Sequence, residues 1–345
     1  MRIFYIGSST PKSTSRHRAD ALVRIGHRVT RFDPFVALGG VLGGPVMERL
    51  HYRTGYRLLQ PMVRAMLEAR AGEVAMHDAI WIDAGELFGR RSVAFLANLA
   101  PTVLVCLDDP AGGRDGRRFD SLVEALPAYD LCVAFREPTV QDFRRLGARR
   151  TLRVWMGYDE VAHRPPSDDE REDFGVAGGV VFIGSWMPRE DREAVVLGLM
   201  DRGVPMSVWG DRWSRSPHWS RIRSAWRGGA LYGRDYCMRL AGADACLGLV
   251  SRGNRDEHTT RSLETPFIGG LLVGQRTGEH TGMFEDGVEA LLWNDLDECA
   301  AHCLGVMADP GRGRGIRAAG MARIRRGGFG NETLTGSILS ELMAS

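Results

Sequence analysis

SRGNRDEHTTRSLETPFIGGLLVGQRTGEHTGMFEDGVEALLW, residues 251–293, reads as turn, helix, strand, turn and strand in close succession. Thr259 or Thr260 is a natural N-cap, which predicts a helix over 260–268. Gly269-Gly270 stops it. The apolar runs 270–273 and 290–293 are too short for buried helices and read as strands. A helix set between short, wholly apolar strands is the pattern of a parallel sheet covered on both faces.

The same alternation extends upstream. Apolar runs at 180–183, 205–209 and 244–249 predict further strands, with helices near 188–202, 233–242 and 295–307. In the first half, runs at 2–6, 28–32, 79–83, 102–107, 130–134 and 151–155 alternate with helical stretches, the first from about Ser15 to Ile25. Between the two series lies 163–173 (HRPPSDDERED), whose prolines and charges fit a linker. From about 311 to 344 the chain reads as helix, broken at Arg326-Gly327-Gly328. The expected organisation is an N-terminal Rossmann-like domain over 1–165, a second over 174–325, and a closing helix in 326–345 that packs back on the first. Sheets of this kind bind ligands beyond the carboxyl ends of their strands. The expectation is therefore an α/β protein with two Rossmann-like domains facing each other across a cleft that holds the site.

Composition bounds the rest. The 345 residues suit two domains, and 44% hydrophobic with 26% charged residues is an ordinary globular balance. A net charge of +2 gives no general pull toward nucleic acid. Lys12 is the only lysine among 45 Lys and Arg residues, so contacts to phosphate fall to guanidinium groups. The six cysteines include no CxxC pair, which removes zinc knuckles and thioredoxin-like motifs. No apolar run approaches the length of a membrane span, and residues 1–10 lack a signal-peptide h-region. The expectation is a reduced, cytoplasmic protein. Residues 45–70 place apolar and arginine positions at helical spacing, either as a core-packing helix with solvated arginines or as a basic face for anionic lipid at the inner membrane. Pro61 is expected to kink or divide it.

Three pieces of 251–293 carry a resemblance: His258-Thr259-Thr260-Arg261-Ser262-Leu263-Glu264, then Gly269-Gly270-Leu271-Leu272-Val273, then Phe284-Glu285-Asp286-Gly287-Val288-Glu289. In order and spacing they resemble the spore-maturation-protein (CgeB-like) glycosyltransferases, bacterial relatives of the group-1 enzymes. Tyr232-Gly233-Arg234-Asp235-Tyr236 with Ala243-Asp244-Ala245, and Gly184-Ser185 with Arg189 and Arg192, look like the same family's second-domain landmarks. The resemblance is looser at 77–83, 101–110 and 129–134. It implies the GT-B fold and transfer of a hexosyl group from a nucleotide-diphosphate sugar to an acceptor hydroxyl on a small molecule or glycan. Kinship with group-1 enzymes leans toward retention of configuration, without a metal or other cofactor.

Such chemistry must stabilise a departing diphosphate. A helix opening at Thr259 and Thr260 presents free amides to phosphate oxygens, and Arg261 adds a fork. The resemblance gives Glu264 the ribose hydroxyls and places His258 in the same nucleotide-sugar site. Either Asp256 or Glu257 matches the family's sugar-contacting carboxylate, and the spacing does not choose. Gly184, Ser185 and Arg189 are diphosphate candidates, Arg192 shares that role, and Tyr232 with Gly233 would flank the base. In the first half, Gly7 and Ser8 could admit a phosphate or sugar to the backbone. His17 is a candidate base. Asp108 and Asp109, at a strand's carboxyl end, are candidates for base or acceptor binding. Neither a G-x-G-x-x-G fingerprint nor a P-loop is present. Three other readings stay open: a nucleotide-sugar 2-epimerase on the same fold, a catalytically inactive binder of sugar or protein, and a nucleic-acid glycosyltransferase, for which only the arginine surplus speaks.

Overall fold

The computed structural model describes residues 1–42, 44–170 and 178–344. It divides into two units, Met1–Trp155 with Asn331–Ser345, and Met156–Gly330.

In the first unit β1 (Arg2–Ile6), β2 (Arg28–Phe32), β3 (Ala79–Asp83), β4 (Thr102–Cys106), β5 (Leu131–Ala134) and β6 (Thr151–Arg153) form a parallel sheet in the order β2-β1-β3-β4-β5-β6. Phe4, Ile6, Ile80, Ile82 and Leu104 pack with Val63, Leu67, Val93 and Leu96 in one core. The sheet order reverses between β1 and β3, which opens a crevice beyond their carboxyl ends. Beneath that crevice Arg18, from the helix Thr14–Arg24, meets Asp83 through two hydrogen bonds of 2.7 and 2.8 Å. The Tyr5 hydroxyl, with one proton to give, lies 2.8 Å from the Asp83 carboxylate and 2.7 Å from the Ser15 carbonyl oxygen. Burial alone would lower the Arg18 pKa, but the Asp83 carboxylate raises it well above the ordinary arginine value.

In the second unit β7 (Val180–Ile183), β8 (Met206–Trp209), β9 (Trp226–Gly228), β10 (Ala245–Gly248), β11 (Leu272–Gln275) and β12 (Leu291–Trp293) form a second parallel sheet, β12-β11-β10-β7-β8-β9. Counted from β7, this is the 3-2-1-4-5-6 order of a dinucleotide-binding sheet, with its reversal between β7 and β10. Strand β9 has no apolar run to announce it. It is a three-residue edge, and Trp226 and Arg227 are exposed.

The stretch 163–173 was expected to be a linker. As far as Glu170 it belongs to the second unit, and 171–173 lie outside the described residues. Glu170 accepts from Arg164 at 2.8 and 2.9 Å and from Arg234 at 2.8 and 3.2 Å. Just upstream, the Tyr158 ring stacks on Phe267 with centroids 3.7 Å apart. The helix Pro310–Arg326 lies against Thr260–Ile268. A Cβ on Gly320 would stand 2.4 Å from the Glu289 carbonyl oxygen, so only glycine permits that approach. The closing helix, Asn331–Met343, packs on Thr14–Arg24 within the first unit, with Arg24 and Glu332 2.5 Å apart.

Residues 45–70 form the helix Pro45–Arg53, a 3-10 turn at Arg57–Leu59 and the helix Gln60–Glu68. Pro61 does not divide a helix. It opens the last one, and the break falls at Gly55 and Tyr56, both at positive φ. The turn and the last helix bury apolar side chains in the core, through Leu59, Val63 and Leu67, while Val46, Met47 and Leu50 of the first helix are exposed. Among the described residues no helix is long and apolar enough to cross a membrane.

Replacing Arg18 with methionine leaves the Asp83 carboxylate buried without its cation. The expected cost is about 3–5 kcal/mol of unfolding free energy, read from urea denaturation.

Candidate functional site

In the second unit the loops after β7 and β10 flank the point where strand order reverses. The turn after β7 is held by close backbone approach. A Cβ on Gly210 (φ +145) would lie 2.2 Å from the Gly184 carbonyl oxygen, which also accepts from Trp213 Nε1 at 2.9 Å. Ser185 Oγ accepts from the Asp211 amide (3.3 Å), and its carbonyl accepts from Arg192 Nη1 (2.7 Å). Arg192 therefore helps to build the turn. Arg189 is exposed, in the left-handed region at φ +66.

Glu190 ties this turn to the loop after β10. It is buried and accepts from Ser251 Oγ at 2.5 Å and from the Arg252 amide at 3.2 Å. Further along, Asp256 accepts from the Ser251 amide at 3.3 Å. Glu257 is exposed and accepts from the Glu279 amide at 3.1 Å. Both carboxylates thus bind backbone within the unit. His258 is 1% exposed; its Nε2 accepts from the Met156 amide (3.0 Å), and its Nδ1 pairs with Glu279. His258 acts as a bolt between two loops.

Thr259 caps the helix Thr260–Ile268. Its amide donates to Ser262 Oγ (3.0 Å), which lies 2.7 Å from His280 Nε2. His280 Nδ1 is 2.6 Å from the Gln275 carbonyl oxygen, so it carries the proton and Nε2 accepts from Ser262. Burial lowers the His280 pKa, which the Gln275 carbonyl opposes. The helix mouth is thereby fixed without a hydrogen bond from Arg261. Arg261 Nε is buried with no hydrogen-bond partner among the described residues. Thr260 is half-buried in the first turn.

Glu264, 6% exposed, follows one turn on. Its Oε2 accepts from the Tyr236 hydroxyl at 2.5 Å, and Oε1 lies 3.7 Å from His163 Nε2. His163 Nδ1 accepts from the Asp159 amide (2.9 Å), which leaves the proton on Nε2 facing Glu264. Burial and the Glu264 carboxylate raise the Tyr236 pKa well above its usual value, with Arg261 opposing. Tyr236 therefore remains a donor. Tyr232, 46% exposed, stands at the N-cap of the helix Gly233–Gly242, and Gly233 takes φ +56, a backbone that glycine suits.

The first unit has a cavity of about 130 Å³ at its own reversal point, lined by Gly7, Ser8, Ser15, Phe35, Glu86 and Phe88 among others. Gly7 is small for an internal reason as well, since a Cβ there would stand 2.4 Å from Ser15 Oγ. His17 is half-buried on the adjoining helix and does not line the cavity. Asp108 is held by Arg114 (3.0 Å) and Arg118 (3.1 Å), and Arg118 also donates to Glu86 (2.8 Å). Asp109 is 1% exposed and accepts from Thr139 (3.1 Å). Neither aspartate lines the cavity. The predicted residues thus gather in the second unit around Gly184–Arg189 and Asp256–Glu264, and in the first around Gly7–Ser8, with His17, Asp108 and Asp109 outside that cavity. No group of His, Cys, Asp or Glu among the described residues is placed to hold a metal ion.

Sequence reasoning missed Glu190, Tyr236, His163 and His280. Tyr236 ends the stretch Tyr232–Tyr236, and Glu190 lies between Arg189 and Arg192. Each has a partner that is not a sequence neighbour, Ser251 for Glu190, Glu264 for Tyr236 and His163, and Ser262 for His280, and local pattern carries no signal for those pairings.

Residues 192–329 match the family model described as glycosyl transferase-like. No curated protein matches the chain. Among solved structures it resembles HepE from Anabaena in complex with UDP and glucose, at TM-score 0.69 and 15% identity over 100% of both chains. It also resembles sucrose-phosphate synthase from Thermosynechococcus elongatus, at 0.70 and 14% over 99% of each. A third is the UDP-forming α,α-trehalose-phosphate synthase from Burkholderia vietnamiensis, at 0.62 and 15% over 100% of this chain and 99% of that one. These likenesses show the fold, which is GT-B.

Because the folded chain needs His280 neutral, its contribution to stability is complete above the ordinary histidine pKa of 6.5 and is lost as pH falls below it. Thermal unfolding between pH 7 and 5 is expected to show this loss, and His280→Asn is expected to be less stable at pH 7 with a flatter dependence.

Proposed function

We propose that the chain is a glycosyltransferase that takes a sugar from a nucleotide-diphosphate donor held by its second unit. The observation that carries the reading is the mouth of the Thr260–Ile268 helix. There Arg261 has no carboxylate partner among the described residues, and the buried Glu264 follows one turn later. A helix N-terminus and a guanidinium together suit a diphosphate whose charge grows as the glycosidic bond breaks. Oε1 of Glu264 is within reach of no hydrogen-bond donor closer than His163 among the described contacts, which suits it to a ribose hydroxyl. The family match over 192–329 and the UDP held by HepE support this reading.

In it, Gly184, Ser185 and Arg189 border the diphosphate, and Tyr232 the base. The bond from sugar C1 to the diphosphate oxygen breaks, and an acceptor oxygen bonds to C1 as its proton leaves to a base. We assign the acceptor to the cavity beyond β1 and β3, on a small molecule or glycan. The stretches His258–Glu264 and Phe284–Glu289 favour the CgeB-like type, and kinship with group-1 enzymes favours retention without a metal.

Calorimetry with UDP, GDP, ADP and dTDP is expected to find one tight binder, and the matching nucleotide sugar is expected to be turned over slowly by hydrolysis. Glu264→Gln keeps its size and its tyrosine partner, and is expected to weaken nucleotide binding by about 1–3 kcal/mol. Arg261→Ala is expected to reduce kcat more than nucleotide affinity, since the charge it meets is largest in the transition state. A folded protein that binds none of these nucleotides would remove the proposal.

A further inference from the structure

The helix Pro45–Arg53 has one buried side chain, His51. Its large apolar residues face water: Val46 is 81% exposed, Leu50 42%, and Met47 37%. Of the seventeen exposed large apolar side chains among the described residues, seven lie between Val36 and Met62, so the exposure concentrates in this part of the first unit.

The roll of the helix is fixed from inside. His51 is buried, and Tyr52 donates to Asp115 at 3.1 Å with the Arg118 guanidinium 5.7 Å from its ring. At about 100° per residue, Arg49, Arg53, Val46 and Leu50 then form one continuous stripe turned away from those anchors, with Met47 at its border beside His51 and Glu48 on the other side. Arg49 and Arg53 have no ion-pair partner among the described residues, whereas Arg57 beyond the helix pairs with Asp120 and Glu124. The stripe is apolar through its middle and cationic along one edge.

That combination is what a helix lying in a bilayer interface needs, since apolar side chains enter the acyl boundary while arginines meet lipid phosphates. A second copy of the chain fits less well. A two-fold interface would set the same face against itself, bringing the arginines of both copies together with no acid on the stripe to pair them. We propose that the Pro45–Arg53 helix docks the protein on an anionic membrane surface, with Val46, Leu50 and Met47 inserted and Arg49 and Arg53 on the headgroups. This rests only on the first unit and is independent of the glycosyltransferase reading.

Cosedimentation with vesicles tests it. The full chain is expected to bind phosphatidylglycerol-containing vesicles, to be released by high salt, and to leave pure phosphatidylcholine unbound. The double variant Arg49→Gln/Arg53→Gln is expected to partition roughly thirtyfold more weakly, from about 1 kcal/mol per arginine. Val46→Ser/Leu50→Ser is expected to lose binding with an unchanged unfolding transition, because both side chains already face water. Failure of the unsubstituted chain to bind anionic vesicles would overturn the proposal, as would binding that survives both double variants. Concentration-dependent dimerisation abolished by Val46→Ser/Leu50→Ser, without vesicle binding, would assign the face to a second copy instead.

Discussion

A chain of hydrogen bonds through one neutral imidazole sets the geometry of the start of the Thr260–Ile268 helix in the second unit. It runs from the Thr259 amide to Ser262, from Ser262 to His280, and from His280 to the Gln275 carbonyl at the end of β11. Each group is both donor and acceptor except at the ends, so the relay is satisfied only with one tautomer. His258 and Glu279 brace the same helix start from the other side. The result is a helix N-terminus anchored to the sheet by its own first turn. Its remaining polar capacity, at Arg261, is not spent on the fold.

The fold was largely legible because parallel strands buried on both faces are nearly pure apolar runs. Eleven of the twelve strands lie at runs read from the sequence, although the edge strands β2 and β6 are only partly buried and carry arginines, and β9, an exposed edge, has no such run. The start of the helix at 260–268 was readable from its threonine cap. Helical periodicity failed at 45–70, where it could not say which way the apolar stripe would face. That depended on His51 and Tyr52 finding their places in the first unit.

For the candidate site, the sequence placed residues beside strand ends but not their pairings, for one reason. Residue type and spacing locate a loop beside a strand end, but long-range pairing decides what each side chain is free to do. Arg18, next to His17, is the residue that reaches Asp83. Asp108 sits where a cleft carboxylate was expected and is neutralised by two arginines instead. Glu264 kept a buried place, with a tyrosine from a different helix as its fixed neighbour.

The first unit is discontinuous in sequence: its last helix, Asn331–Met343, follows the whole of the second. Because ribosomal synthesis runs from the N-terminus, the second unit's six strands have all emerged before that helix exists to cover Thr14–Arg24. The half made first is thus the half finished last, and for that interval its uncovered flank is a natural client surface for chaperones.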